Sequence, residues 1–467
     1  MALPRMSEQA LESDWIRGEI AVIGLARSGR SVATLLARAG VTVYASDASR
    51  SPALEFCAAQ LEREGVGVDL GAHDLPRIER ASLIVASPGV PPDALVLVAA
   101  ARRGTPIVSE VEIGLRFLPE LKYIAVTGTN GKTTTTALTG HLLKALGLRA
   151  QSAGNIGTPL TELALSAAPP RWVALELSSF QLHDTPSVDP DVGVVTNLSA
   201  NHLDRYTSVE AYYADKALLF ENATAGSTWV SNADDADVQR LVSHAAGLHA
   251  RFSLARECDA WLDRAHGELM VLGQPIARRD DLQLLGDHNV ANALAATLAV
   301  MLSDPEHRTP DATKLIGRGL RSFRGLEHRI EVVGEGDGVL WINDSKSTNV
   351  ASTNVALRGM TRPTVLLLGG RHKGEPYTSL LDEIRRTVRE VIAYGEAGPI
   401  VERDLHGTVP VHLLGSSFDE VMAEARRLAR AGDAVLLSPA CSSYDMFENY
   451  EQRGEVFKRL AIPAAHE

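Results

Sequence analysis

The chain runs to 467 residues, of which 45% are hydrophobic and 22% charged, and its formal net charge is -12. One hydrophobic core does not serve a chain of that length, so about three globular domains are expected. The acidic balance, with no long basic run against it, argues against a nucleic-acid partner.

Residues 1–18 are mixed and charged and lack the apolar stretch of a signal peptide. Residues 20–23 read as a strand, 24–29 as a Gly-flanked turn, 31–39 as a helix closed by Gly40, and 41–45 as a second strand. Asp47 closes that strand, an acid placed to bond a ribose hydroxyl as in a Rossmann unit. The turn is GxxxxG, with Ala26 where the dinucleotide fingerprint wants Gly, so another nucleotide or a purely structural turn competes with an NAD site. Residues 82–89 form a strand running into a turn at Gly89, and 105–109 a further strand; 116–121 reads as a linker.

The most informative stretch follows. Residues 123–126 read as a short buried strand, Gly128-Thr129-Asn130-Gly131-Lys132-Thr133-Thr134 as a phosphate-binding loop, and 133–146 as a helix. Glycines let backbone N–H groups turn inward around an anion, and the helix N-terminus adds partial positive charge. The leading Gly of the general pattern is absent. Strand 172–177 then carries Glu176 near its end, and strand 192–198 runs into Asn201-His202-Leu203-Asp204. In a parallel sheet the C-terminal strand ends share one edge, so Thr133, Glu176 and His202 should meet there as oxygen and nitrogen donors suited to Mg²⁺. Ser208 reads as the N-cap of a helix over 209–220 whose apolar stripe includes Tyr212, Tyr213 and Phe220. Lys216 falls on that stripe. Either its stem snorkels to water, or it is an active-site lysine that is paired or chemically neutralised. His288, Asn289 and Asn292 open a long helix over 289–302, as caps or as ligand contacts.

Residues 323–330 read as a second linker holding Arg329. Strands over 339–342, 364–368, 391–394 and 434–437 alternate with helices over 380–389 and 418–430. Their ends gather Asp344, Lys346, Thr348, Lys373, Ser438 and Ser442, a set suited to a small anionic substrate such as a dicarboxylic amino acid. Cys57, Cys258 and Cys441 form no CxxC pair, which fits a reducing cytosol. No apolar run approaches the length of about 18 residues that a membrane helix needs. The expectation is an α/β chain of three domains over 1–117, 118–325 and 326–467. The outer two are Rossmann-like, and the middle one is a P-loop ATPase-like domain with a mostly parallel sheet.

With these stretches in place the chain resembles the Mur ligases of peptidoglycan synthesis along nearly its whole length, and within that family its D-glutamate-adding branch. The likeness is carried by residues 126–134, 154–157, 175–182, 201–206, 288–292, 326–329, 341–349 and 437–457. It implies ATP-driven phosphorylation of an alanyl carboxylate on a UDP-linked substrate, then attack of the glutamate amine on the acyl phosphate. It implies ATP and two Mg²⁺ ions as cofactors, small-molecule substrates alone as partners, a cytoplasmic location and a monomer. By match, Lys132 holds the β and γ phosphates, Thr133 and Glu176 one Mg²⁺, and His202 and a carbamylated Lys216 a second. Asn292, Arg329 and Asp344 match nucleotide contacts. Arg27, Ser28, Asp47 and Gly89 match uridine and diphosphate contacts, and Asn155 the sugar side. Thr348, Lys373, Ser438 and Phe447, with Lys346 nearby, match the positions holding glutamate. Other Mur ligases, a folylpolyglutamate synthase, an NAD-dependent oxidoreductase and a non-catalytic nucleotide switch are the rivals. The C-terminal stretch 437–457, the front region 19–118, Ala26 in the turn and the complete metal set count against them in turn.

Overall fold

The computed structural model describes residues 11, 14–91, 93–201 and 205–462. The chain divides into two compact units, one of residues 1–281 with 291–321 and one of 282–290 with 322–467.

The first unit holds two sheets. Strands β1 (Ile20–Ile23), β2 (Val43–Asp47), β3 (Gly67–Leu70), β4 (Leu83–Ala86) and β5 (Ile107–Ser109) lie in the order β3-β2-β1-β4-β5, all parallel. β1 and β4 are apolar throughout and fully buried, as strands covered on both faces must be. The order reverses between β1 and β4, which opens a crevice at their C-terminal ends. The helix after β1 spans Arg27–Arg38 and so begins four residues earlier than expected. Gly29 therefore lies inside it. A Cβ on Gly29 would come within 1.7 Å of the Gly24 carbonyl oxygen, and Gly24 turns at φ +87°. The two glycines of the turn thus serve a close approach between chain segments. Residues 110–117 form a helix, so the first link is shorter than 116–121.

The second sheet comprises β6 (Lys122–Thr127), β7 (Ala150–Gly154), β8 (Trp172–Glu176), β9 (Val192–Val195), β10 (Thr228–Asn232), β11 (Leu248–Ser253), β12 (Ala260–Asp263), β13 (Glu268–Val271) and β14 (Gln274–Arg278). Their order is β14-β13-β12-β11-β10-β9-β6-β8-β7. β6 lies between β8 and β9 and is parallel to both, with Val126 level with Glu176 and Thr127 level with Val195. Three strand ends therefore share one edge, as expected. The antiparallel extension β12–β14 carries no sequence signal strong enough to stand out.

In the second unit β15 (Glu331–Gly336), β16 (Val339–Asn343), β17 (Thr364–Gly369), β18 (Val388–Tyr394), β19 (Val411–Leu413) and β20 (Ala434–Leu437) form a sheet in the order β15-β16-β20-β17-β18-β19. β15 alone runs antiparallel, pairing with β16. The helix expected over 380–389 is confined to Leu381–Thr387, because Val388 already enters β18.

Candidate active site

The phosphate loop sits at the end of β6. Gly128 and Gly131 adopt φ +138° and +79°, and Cβ atoms there would press within 2.1 Å of the Thr196 hydroxyl and 2.4 Å of the Asn292 amide oxygen. The segment after β9 braces the loop: Thr129 N–H donates to the Asn197 carbonyl at 2.8 Å, Asn130 N–H to the Asn197 side chain at 2.9 Å, and the Thr196 hydroxyl to the Asn130 carbonyl at 2.7 Å. Asn292 accepts from Thr135 Oγ1 at 3.2 Å and so supports the loop from the side of its own helix. The helix Lys132–Ala145 starts from Gly131 with no capping side chain. Thr133 and Thr134 stand in its first turn, where helix N–H groups lack an intrahelical acceptor and favour an anion. The Lys132 ammonium folds back onto the carbonyls of Gly128 and Thr129, at 3.0 and 2.8 Å.

Beside this loop lie Glu176 and Lys216. Glu176 is 2% exposed; its Oε1 accepts from the Asn155 amide at 2.9 Å, while Oε2 is buried with no hydrogen-bond partner among the described residues. A buried carboxylate oxygen without a donor is costly unless a cation completes it. Lys216 is 1% exposed on the helix Val209–Ala217, which Ser208 caps as expected. Its ammonium donates to the Gly128 carbonyl at 2.8 Å and lies 4.6 Å from the centre of the Tyr212 ring. Burial pushes its pKa down to about 6, helped by the Lys132 charge and opposed by Asp215 and Glu176. The snorkelling alternative is thereby excluded. Among the described residues no three His, Cys, Asp or Glu side chains cluster as a metal site. Among the described residues the donors at this edge are the Glu176 carboxylate and the half-buried Thr133 hydroxyl, a sparse oxygen set of the kind Mg²⁺ shares with phosphates and water. These residues fit Mg²⁺. His202 lies outside the described residues.

A cavity of about 600 Å³ opens at the β1/β4 crevice. Arg27, Ser28, Asp47, Gly89 and Asn155 all line it, so the structure brings together the five residues that the sequence grouped. The helix at Arg27 is uncapped, since Ala26 has no side-chain acceptor, and its N-terminus faces the cavity as an anion site would. Asp47 accepts from the N–H groups of Leu25 and Ser49, both at 2.8 Å, which holds the turn in place. Gly89 is exposed, and a Cβ there would meet nothing within 4 Å, which leaves room against its backbone. Sequence reasoning missed His73, which lines the cavity and shares a 2.8 Å hydrogen bond with Ser46, because a lone loop histidine carries no pattern. Asn155 lines this cavity and bonds Glu176. It therefore joins the cavity to the phosphate-loop edge.

In the second unit the polar set gathers at the C-terminal ends of β16, β17 and β20. Asp344 is 2% exposed, accepts from Ser438 Oγ at 2.7 Å and from Ile330 N–H at 3.2 Å, and has its pKa raised to about 6 by burial. Bonds from Ser347 and Ser438 and the charge of Arg329 restrain that rise. Lys373 donates to Thr348 Oγ1 at 3.3 Å, and the Lys346 ammonium lies 5.7 Å from the Tyr450 ring centre. Phe447 packs edge-on against Phe418 at 5.2 Å, where it serves the core. Missed here was Arg453, wholly buried, which donates to Ser345 and to the Cys441 carbonyl.

Three family models match in order: the Mur ligase MurD-like N-terminal domain over 18–109, the Mur ligase middle domain over 126–300, and the Mur ligase glutamate ligase domain over 328–441. The chain is 39% identical to the UDP-N-acetylmuramoylalanine–D-glutamate ligase of Salinibacter ruber, over 95% of this chain and 97% of that one. It is 40% identical to the protein of the same name from Anaeromyxobacter dehalogenans, over 96% and 98%. Among solved structures it is similar to the UDP-N-acetylmuramate–alanine ligase of Thermotoga maritima, with a TM-score of 0.58 at 19% identity over 94% of this chain and 98% of that one. It is also similar to a pseudomurein peptide ligase type C of Methanothermus fervidus, with a TM-score of 0.53 at 20% identity over 90% and 96%. The three-part α/β architecture, the phosphate-loop edge with its buried Glu176 and Lys216, and near-full-length identity of this order agree: the chain belongs to the Mur ligase family, on the branch whose curated members are named UDP-N-acetylmuramoylalanine–D-glutamate ligase.

Proposed function

We propose that the chain joins D-glutamate to the alanyl carboxyl group of UDP-N-acetylmuramoyl-L-alanine at the expense of ATP, through an acyl phosphate, in the making of peptidoglycan precursor. One observation carries the reading on the structural side. Asn155 lines the β1/β4 cavity and donates to Glu176 beside the phosphate loop, so a substrate seated in the cavity ends where a γ-phosphate would be held. A carboxylate has no usable leaving group until it is phosphorylated, which is the need that ATP meets. The transfer then depends on alignment and on neutralising charge.

In this reading the N–H groups at the start of the helix Lys132–Ala145 hold the phosphates, and Lys132 exchanges its carbonyl contacts for phosphate oxygens. Mg²⁺, when bound, neutralises phosphate charge, and Thr133 and Glu176 would hold it. A second ion would fall to His202 and a carbamylated Lys216. Carbamylation is supported by a lysine buried to 1% whose bonding partner is a backbone carbonyl. Addition of CO₂ to the neutral amine releases one proton and leaves a carbamate anion. Asn292, Arg329 and Asp344 would serve the nucleotide, and Lys346, Thr348, Lys373, Ser438 and Phe447 the glutamate. Arg27, Ser28, Asp47 and Gly89 would serve the uridine diphosphate. Domain limits at 117/118 and 325/326, a cytoplasmic location and a monomer complete the proposal. No helix among the described residues is long and apolar enough to cross a membrane.

The test is phosphate release from ATP against a panel of UDP-muramoyl acceptors and amino acids. Release with UDP-N-acetylmuramoyl-L-alanine and D-glutamate together, and not with either alone, is expected. Release only with another amino acid would move the assignment elsewhere in the family.

A further inference from the structure

Arg27 lines the β1/β4 cavity, and most of its guanidinium is already engaged. Nε and Nη2 donate to the two oxygens of Glu162, each at 2.9 Å, and Nη1 donates to the Gly157 carbonyl at 2.9 Å. Such a fork-to-fork pair orients an arginine better than any single bond. Three of the five N–H groups are committed in this way, which leaves two. Gly157 lines the cavity with Arg27, whereas Glu162 is not among the residues that line it.

Glu162 is itself anchored. It lies on the helix Leu160–Ala164, where the N–H and hydroxyl of Thr161 both donate to the buried Glu110, at 2.5 and 2.6 Å. Thr161 also shares a 2.7 Å hydrogen bond with Ser31, one turn along the helix from Arg27. Side chains of Arg27 and Glu162 are 53% and 37% exposed. A pair that open to water contributes little to stability, so orientation is the effect it can supply. An untethered arginine would lose its rotamer freedom only on meeting the ligand, at the expense of affinity.

We propose that Glu162 is a positioning residue for the UDP-linked substrate: it holds the Arg27 guanidinium against the cavity wall with its remaining N–H groups turned to the diphosphate. This rests on reading the cavity as the UDP-substrate site. The test measures KM and kcat for Glu162→Ala and Glu162→Gln, each in the wild-type and the Arg27→Ala backgrounds, with melting temperatures alongside. Glu162→Ala should raise KM for UDP-N-acetylmuramoyl-L-alanine about tenfold, with kcat and the KM for ATP within about twofold. Glu162→Gln, which keeps one acceptor oxygen, should fall between, and serves alone if the alanine variant does not fold. In the Arg27→Ala background both effects should vanish. An undiminished effect in that background, a fall in kcat at unchanged KM, or a lowered KM through relief of competition would each overturn the proposal. Failure of the wild type to bind UDP-N-acetylmuramoyl-L-alanine in calorimetry would instead sink the reading of the cavity.

Discussion

Two lysines at the phosphate loop have opposite surroundings. Lys132 is half-buried and rests on the carbonyls of Gly128 and Thr129; Lys216 is buried and rests on the Gly128 carbonyl as well. Replacing Lys132 with Ala removes a cation from the place where negative charge accumulates. Turnover should fall at least about a hundredfold with the melting temperature little changed. Near-normal turnover would sink the assignment of the loop. Lys216→Ala should be inactive and recover in part when a short-chain carboxylic acid is added, since the acid replaces the carbamate. Absence of recovery in a folded variant would count against carbamylation. Lys216 was readable as buried because it interrupts an apolar stripe at helical spacing. That its partner is a loop carbonyl was not readable, because the 88 residues separating Lys216 from Gly128 are brought together only by the sheet.

At the level of elements, strands were easier to read than helix starts. A strand buried on both faces is a continuous apolar run, and 20–23 was found to the residue. The helix after it was expected to begin at Ser31 and begins at Arg27, since Ala26 provides no capping signal to read. The missing cap and the early start have one cause. In the proposed reading the first turn offers its N–H groups to the diphosphate, and a capping side chain would occupy them. Gly29→Ala tests this packing, because its Cβ would lie 1.7 Å from the Gly24 carbonyl oxygen and no rotamer relieves a clash at Cβ. The turn must move, with a loss of about 1–3 kcal/mol in stability and a larger proportional loss of UDP-substrate affinity. Unchanged affinity in calorimetry would show that the turn does not shape the site. Gly193 on β9 is a second such position. A Cβ there would meet the Trp229 ring at 2.5 Å, a contact across β-strands that sequence spacing does not reveal.

For the first unit as a whole, the decisive feature is how the two sheets are joined. Glu110, wholly buried at the start of the helix Glu110–Phe117, takes two bonds from Thr161, which in turn meets Ser31. Burial raises its pKa from 4.5 to about 7, although the Thr161 bonds oppose the rise. The folded state therefore binds this proton more tightly than the unfolded chain. Its contribution to stability is present below pH 4.5 and declines as pH rises to about 7, by up to about 3 kcal/mol. In Glu110→Gln the group no longer ionises. The melting temperature of the variant relative to wild type should thus be higher at pH 8 than at pH 5, by a few degrees. A difference independent of pH would show that folding does not raise the pKa of Glu110.

The sequence by itself determined the kind of protein this is. Residues that touch a phosphate or end a parallel strand are local in sequence, so the loop 128–134, Glu176 and the apolar strands announced themselves, and so did the three-part α/β order. What only the tertiary structure decided lies in contacts between distant segments. These are the Asn155–Glu176 bond, the Arg27–Glu162 pair and the Glu110–Thr161–Ser31 joint, together with the carbonyl partner of Lys216. Each joins groups that no periodicity relates. Their energies depend on burial and on distances of 2.5–2.9 Å, which exist only once the sheets are packed.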